Sequence, residues 1–178
     1  MASLTKILTF YTAYMIIQRY YLMLEKMELM VEEADEKIQG TKINIKKESL
    51  VTLEDMLFAM MLNSANNAAT VIANNLGSYV LKKREGKYFS CFDIPNEDRE
   101  KNIGFFLQLM NTYASELKLE NSTFSNVHGM CSNLSSARDM AILISECYKI
   151  PLFSKIVLTR YHTLRIKYVA DSGELEYQ

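Results

Sequence analysis

Ser3 and Lys6, near the start of the chain, are the residues whose types and spacing most directly suggest chemistry. They form the pattern S-x-x-K, which places both side chains on one face of a helix, one turn apart. A serine hydroxyl becomes an effective nucleophile when a neighbouring base takes its proton. A lysine serves as that base when burial or a nearby cation favours its neutral form. The alternative interpretation is a serine N-cap followed by a solvated lysine.

A second polar group interrupts an apolar stretch in the middle of the chain. The triplet Ser64-Ala65-Asn66 lies within MLFAMMLNSANNAATVIA, at a break between two predicted helices. A hydroxyl and an amide at such a break could face a cleft. Further along, the turn-rich stretch STFSNVHGM leads into a helical pattern, LSSARDMAILI.

Taken in order, these segments resemble the serine D-alanyl-D-alanine carboxypeptidases, the low-molecular-mass penicillin-binding proteins of the β-lactamase-like superfamily. ASLTKILT is similar to the family's nucleophile segment, and NSANNAATVIA to its S-x-N motif and the helix that follows. NVHGM and SSARDMAIL resemble its N-P-H-G-L turn and its S-T-A-R-D helix. The resemblance runs from Ala2 to about residue 165, and several motifs in register are more specific than any single one.

The resemblance implies an acyl-transfer mechanism on a D-alanyl-D-alanine peptide or a β-lactam. Ser3 would attack the carbonyl, Lys6 would act as general base, and Ser64 would return a proton to the leaving amine. Asn66 would hydrogen-bond the substrate amide. The residues implied to form a turn near the site are Asn126, His128 and Gly129. No metal and no other cofactor is implied.

Two parts of the family pattern are missing from the 178 residues. No K-T-G or K-S-G occurs, although the family's third motif supplies a lysine near the general base and a backbone N–H of the oxyanion hole. Loss of one oxyanion donor costs roughly 10²–10³ in rate in a protease. Only two residues precede Ser3, so the strands and the leader expected before the nucleophile helix are also missing, and the chain is interpreted as truncated at both ends. We therefore expect weak or no activity from this chain; the alternative is a degenerate homologue that serves as a structural or docking subunit.

Composition predicts one domain over residues 1–178 and excludes several kinds of partner. Half of the residues (49%) are hydrophobic, enough for one core. The 20 basic and 21 acidic residues are nearly balanced, which argues against nucleic acid. Three cysteines without C-x-x-C argue against a disulfide framework and a zinc site, and they favour an intracellular location. The apolar run after Lys6 is interrupted before the roughly 20 residues of a membrane span.

The hydrophobic pattern predicts a mainly α protein, the helical part of an α+β fold whose antiparallel sheet is absent or much reduced. A long first helix is expected to continue to a break at Gly40, and a helix capped by Thr52 is expected after it. A further helix from Ala68 to Leu76 is expected to end at Gly77. The remaining expectations are two helices in IGFFLQLMNTYASEL and SARDMAILISECYKI with Pro151 ending the second, strands within SKIVLTRYHTLRIKYV, and a turn at 171–173.

Other segments and residues have simpler interpretations. The charged segment 82–102 is predicted to be a solvated insertion, with partner binding as the alternative. His128 is interpreted as a turn residue whose ring hydrogen-bonds local backbone, and His162 has no visible partner. With the sheet reduced, apolar helix faces need other cover, from carboxy-terminal strands or from other protein chains.

Overall fold

The computed structural model describes residues 2–89, 98–169 and 175–177. Within these ranges the chain forms helices joined by short strands and irregular segments. A 3₁₀ turn, Ala2–Leu4, leads into the first helix. The helices are α1 (Thr5–Tyr20), α2 (Glu33–Glu36), α3 (Leu53–Leu62), α4 (Asn66–Arg84), α5 (Arg99–Glu116), α6 (Ala137–Tyr148) and α7 (Pro151–Leu158). The strands are β1 (Glu28–Met30), β2 (Leu50–Thr52), β3 (Ile166–Val169) and β4 (Leu175–Tyr177).

The four strands form one small antiparallel sheet in the order β1-β2-β3-β4. Glu28 pairs with Thr52, Leu50 with Lys167, and Lys167 with Tyr177. Each strand is only three or four residues long. The expectation of a mainly α fold with a much reduced sheet is confirmed.

Helix α4 lies at the centre of the core and packs against α1, α3 and α5. Its residues from Asn66 to Ser78 are all buried, because neighbours cover it on every side. The expected break between α3 and α4 is present at residues 63–65. Thr52 caps α3 as expected, since its hydroxyl accepts a hydrogen bond from the backbone N–H of Asp55 at 3.1 Å.

The prediction that Gly77 ends a helix is wrong, because α4 continues through it to Arg84. Gly77 has a packing role instead. A Cβ at this position would lie 2.1 Å from the backbone carbonyl oxygen of Asn102 in α5. The absence of a side chain therefore lets the two helix backbones approach closely.

Gly77→Ala is expected to destabilise the protein by about 2–3 kcal/mol, because the new methyl group forces α4 and α5 apart. Gly104→Ala, in α5, is the matched control, since a Cβ there meets no atom within 4 Å. That variant should be neutral or slightly stabilising, because alanine favours a helix over glycine. Urea unfolding of both variants measures the difference, and equal midpoints would contradict the role assigned to Gly77.

The long first helix predicted to reach Gly40 is also wrong. Helix α1 ends at Tyr20, and Tyr21 adopts a left-handed conformation (φ 52°) with its N–H bonded to the Ile17 carbonyl oxygen. The chain then turns into β1, where Leu29 is fully buried. The apolar residues after Tyr21 supply a strand and a loop against the core, and their spacing alone did not distinguish these from a helix.

The carboxy-terminal elements differ from the prediction in two respects. Helix α6 already ends at Tyr148, and Pro151 begins α7, where a proline at the first helical position lacks only an N–H that would be unpaired anyway. Part of the predicted strand segment is therefore helical, and strand structure begins at Ile166. The turn predicted at 171–173 lies outside the described residues.

Three asparagine side chains hold the backbone of a distant residue at both its N–H and its carbonyl. Asn67 binds Ile43, Asn75 binds Met30, and Asn111 binds Phe124, with distances from 2.8 to 3.1 Å. In each pair the side-chain oxygen accepts from the N–H and the side-chain nitrogen donates to the carbonyl. We call these three pairs the amide clamps. They attach irregular and edge segments to α4 and α5.

An ion-pair cluster joins the start of α5 to α2. The guanidinium of Arg99 donates to Asp35 Oδ1 at 2.6 Å, to Asp35 Oδ2 at 3.1 Å and to Glu32 Oε2 at 3.1 Å. Thr70 and Asn74 of α4 donate to the same two carboxylates. Burial on its own would lower the pKa of Arg99, but the hydrogen bonds and charges of the two carboxylates outweigh it and raise that pKa. Residues 90–97 of the predicted insertion 82–102 lie outside the described residues, and its two ends belong to α4 and α5.

None of the helices in the described part of the chain combines the length and the hydropathy that crossing a bilayer requires.

Candidate functional site

Lys6 lies in the first turn of α1 with only 2% of its surface exposed. Its Nζ donates to Asn66 Oδ1 at 2.8 Å and to the backbone carbonyl oxygen of His128 at 2.9 Å, and lies 3.3 Å from Ser3 Oγ. Residues from three separate parts of the chain thus meet around one ammonium group. The alternative of a solvated lysine does not describe this environment.

Burial lowers the pKa of Lys6 from 10.5 to about 8. At pH 7 about one molecule in ten then carries a neutral amine at this position. A neutral amine has two N–H groups, which match the two carbonyl acceptors at Asn66 and His128. Its lone pair is left for the third neighbour, the hydroxyl of Ser3. The arrangement therefore suits transfer of a proton from Ser3 to Lys6.

Ser3 is exposed and lies in the 3₁₀ turn before α1, and the N-cap position of α1 is occupied by Leu4. The serine N-cap interpretation is therefore wrong. Gly129, which has a positive φ of 90°, packs directly against this turn. A Cβ at Gly129 would lie 1.9 Å from the carbonyl oxygen of Ala2, so only glycine permits this approach.

Ser64, in the break between α3 and α4, lines a cleft together with Lys6, and Asn66, the first residue of α4, hydrogen-bonds Lys6. Ser64 has a left-handed backbone (φ 54°), as does Ala2 (φ 48°). Non-glycine residues in this conformation often occur at functional sites. The side chain of Asn66 donates to the Gln39 carbonyl oxygen at 2.9 Å and accepts from Lys6. Its second N–H hydrogen is the one left for the predicted contact with a substrate amide.

A cleft of about 330 Å³ opens beside these groups. Its polar lining comes from Ser3, Lys6 and Ser64, and its apolar lining from Ala2, Leu4, Ile7, Met60 and Met61. Ser3 and Ser64 thus face a common space in which a reacting carbonyl could be placed between two hydroxyl groups.

The turn of Asn126, His128 and Gly129 contributes through its backbone. Asn126 Oδ1 accepts from the N–H of Gly129 at 2.6 Å and from that of His128 at 3.3 Å. The His128 ring accepts from the Met130 N–H at 3.2 Å, so the expected contact with local backbone is confirmed. Burial and the charge of Lys6 both lower the pKa of His128, which favours the neutral ring. The group that reaches Lys6 is the carbonyl of His128.

His162 has a partner, contrary to the sequence analysis. Its Nε2 lies 2.6 Å from Oδ1 of the buried Asp55, and its ring stacks on Phe58 with ring centroids 3.8 Å apart. Across the described ranges no group of three or more His, Cys, Asp or Glu side chains is arranged to hold a metal ion. Cys131 and Cys147 are free thiols.

Sequence reasoning missed three residues that hold the site together. Gln39 supplies a carbonyl acceptor to Asn66, and Thr5 and Asn133 hydrogen-bond each other beside Lys6. Asn133 lies in the turn-rich stretch that precedes α6, where asparagine commonly binds backbone groups. That composition was the available signal, but it does not tell which of several asparagines and serines does so.

Solved structures share the fold. The Streptomyces K15 DD-transpeptidase superposes with a TM-score of 0.75 at 23% identity, covering 99% of this chain and 61% of that one. The D-alanyl-D-alanine carboxypeptidase DacD from Francisella tularensis gives a TM-score of 0.66 at 25% identity, covering 87% of this chain and 32% of that one.

Sequence comparison identifies the family. The D-alanyl-D-alanine carboxypeptidase DacC of Escherichia coli (strain K12) is 29% identical over 149 residues, which cover 80% of this chain and 32% of DacC. The chain therefore spans about a third of the length of this relative. The family model of the D-alanyl-D-alanine carboxypeptidases, peptidase S11, matches residues 1–79 and 102–177. Since these two stretches make up most of the 178 residues, the chain belongs to the D-alanyl-D-alanine carboxypeptidase (peptidase S11) family.

Proposed function

We propose that this chain carries the nucleophile side of a serine acyl-transfer site for D-alanyl-D-alanine peptides and β-lactams. Ser3 is the nucleophile and Lys6 its general base; Ser64 returns a proton to the leaving amine, and Asn66 orients Lys6 and the substrate amide. The observation that carries the proposal is the buried Nζ of Lys6, 3.3 Å from Ser3 Oγ, with its pKa lowered to about 8. Membership of the family supports the same reaction class.

Acylation and deacylation use the same three side chains, those of Ser3, Lys6 and Ser64. Ser3 Oγ forms a bond to the carbonyl carbon while its proton passes to Lys6 Nζ. The carbon–nitrogen bond then breaks, and the amine leaves with the proton that Lys6 took from Ser3, delivered through Ser64. Water then attacks the ester carbonyl carbon while Lys6 accepts a proton from it. As the bond between that carbon and Ser3 Oγ breaks, Lys6 returns the proton to Ser3 Oγ and the acid leaves. With a β-lactam the amine stays tethered to the acyl group, so the ester is expected to be long-lived.

We further propose that acylation by these 178 residues alone is slow. They contain no K-T-G or K-S-G, so no lysine of that motif lies opposite Ser3 to bind a substrate carboxylate. The nucleophile residue itself provides one oxyanion donor, the backbone N–H of Ser3, and the donor of the third motif is missing from these residues. Loss of one such donor costs roughly 10²–10³ in rate.

Incubation of the purified chain with a fluorescent penicillin tests the proposal. We expect slow covalent labelling that Ser3→Ala abolishes. Ser145→Ala, which changes an exposed serine on α6, is the matched control and should label like the parent. Absence of any adduct after prolonged incubation, or an adduct that survives Ser3→Ala, would reject Ser3 as nucleophile.

The labelling rate should depend on pH through Lys6. Burial lowers the pKa of Lys6 to about 8, so the base form increases as pH rises. The rate is expected to increase about tenfold per pH unit between pH 6 and 7.5 and to level off above about pH 8.5. Labelling rates at constant ionic strength from pH 6 to 9.5 measure this profile. A rate that does not change over this range would contradict a titrating base at Lys6.

A structural or docking role is the second candidate, favoured by exposed apolar side chains. Leu134, Leu158 and Tyr161 are 68%, 81% and 92% exposed. Single exposed apolar side chains are common on protein surfaces. In a docking role these three would become buried against another protein chain. Sedimentation of the purified chain tests docking through self-association. A monodisperse monomer at micromolar concentration would count against docking through self-association.

A further inference from the structure

The loop from Ser125 to Asn133 presents the His128 carbonyl to Lys6, and one buried side chain organises it. Asn133 Oδ1 accepts from the N–H groups of Ser125 and Asn126, at 2.7 and 3.2 Å. Asn133 Nδ2 donates to the Asn126 carbonyl oxygen at 3.0 Å. One asparagine therefore closes the loop on itself.

The same side chain ties the loop to α1. Asn133 Nδ2 donates to Thr5 Oγ1 at 2.9 Å, and Thr5 is the residue immediately before Lys6. A second tie lies one turn further along α1, where the hydroxyl of Thr9 donates to the Val127 carbonyl oxygen at 2.7 Å. The two ties lie on either side of Lys6, and the carbonyl that Lys6 binds belongs to the residue after Val127.

We propose that Asn133, anchored on Thr5, is a positioning residue that holds the His128 carbonyl against Lys6 and keeps water out of that contact. The proposal rests on the proposed function only in taking Lys6 as the general base. Asn133 does not touch Ser3 or the cleft, so it acts through the loop. Without its side chain the loop N–H groups and the Thr5 hydroxyl lose their partner, and the loop loosens over the ammonium group.

The expected consequence is a change in the basicity of Lys6. Burial is the cause of the lowered pKa of Lys6, so water admitted beside Nζ returns that pKa toward 10.5. In Asn133→Ala the pKa of Lys6 should rise by about one unit. Thr5→Val should raise it by about half a unit, because one of the contacts of Asn133 is lost. Thr5→Ser keeps the hydroxyl and should restore the parent value.

The test is a pH titration of the Lys6 Cε resonance by NMR in protein labelled with ¹³C at lysine Cε, with Lys6→Arg identifying the signal. Asn111→Ala is the matched control. Asn111 also clamps this region, at Phe124, with hydrogen bonds of similar length, and its hydrogen bonds among the described residues go to Leu107 and Phe124. It should destabilise the fold while leaving the pKa of Lys6 unchanged. Should Asn133→Ala fail to fold, the two Thr5 variants provide the same comparison.

A Lys6 pKa that stays within about 0.2 unit of the parent in Asn133→Ala, or that moves equally in Asn111→Ala, would overturn the proposal. The titration requires no turnover, so its outcome is separate from the penicillin experiment. A responsive Lys6 in a protein that no penicillin labels would support this inference and reject the proposed function. If penicillin labels Ser3 but the pKa of Lys6 does not change in Asn133→Ala, the proposed function is supported and this inference is rejected.

Discussion

Gly129→Ala is expected to destabilise the protein by about 3–4 kcal/mol, through two effects that act together. The backbone φ of 90° lies in the left-handed region, where a Cβ costs roughly 1–2 kcal/mol. The new methyl group would also lie 1.9 Å from the carbonyl oxygen of Ala2, a backbone atom that no side-chain rotation can move. Either the turn at Ala2–Leu4 or the loop around His128 must shift.

The clash falls between the two segments that carry Ser3 and the His128 carbonyl. A shift of either one admits water beside Lys6 Nζ. Because burial is what lowers the pKa of Lys6, that pKa should rise along with the loss of stability. Urea unfolding measures the first effect and the lysine titration the second. Gly86→Ala separates backbone conformation from the clash, because Gly86 also has a positive φ (70°) but a Cβ there meets nothing within 4 Å. If the two variants were equally destabilised, the close approach at Gly129 would have no energetic role.

Arg99→Met is expected to lower the free energy of unfolding by about 3–5 kcal/mol, because it leaves two buried carboxylates without their cation. Asp35 is fully buried and Glu32 nearly so, and the guanidinium bridges them with three hydrogen bonds. Thermal or urea unfolding at pH 7 measures the loss. A change of less than about 1 kcal/mol would mean that the two carboxylates are held adequately by α4 alone.

Two further variants make the Arg99 experiment specific. Lys37→Met removes a neighbouring lysine whose pair with Glu33 is exposed, and it should leave the unfolding midpoint almost unchanged because exposed pairs contribute little. The double variant Arg99→Met with Asp35→Asn should recover part of the stability. A neutral amide can still accept from Thr70, and no uncompensated charge remains at that position.

The helices that sequence reasoning placed correctly are those with a clear end signal. Thr52 before α3 and the polar break at Ser64 both marked real boundaries. The failures arose where tertiary contacts decided the outcome. Gly77 matches the sequence signal for a helix end, but it is there because α4 packs closely on Asn102. Helix α1 ends at Tyr20 because Tyr21 adopts a left-handed conformation that a tyrosine rarely adopts.

Of the residues proposed for the site, Ser3, Lys6 and Ser64 line one cleft, and Asn66 hydrogen-bonds Lys6. The groups that support them were not predictable. S-x-x-K spacing is local, so helical geometry alone brought Ser3 and Lys6 together. The contact of Lys6 with the His128 carbonyl joins residues 122 positions apart. Which carbonyl group contacts Lys6 depends on the path of the loop from Ser125 to Asn133, and Asn133 and Thr5 determine that path. A backbone carbonyl has no signature in the sequence, since every residue carries one.

The amide clamps have a consequence for chemical ageing of the protein. Conversion of Asn67, Asn75 or Asn111 to aspartate would replace the side-chain nitrogen that donates to a carbonyl with a carboxylate oxygen. Two oxygens would then face each other, one of them charged, inside the folded chain. Deamidation at any of the three positions would thus release the segment that the asparagine holds, although the covalent change is confined to one side-chain group.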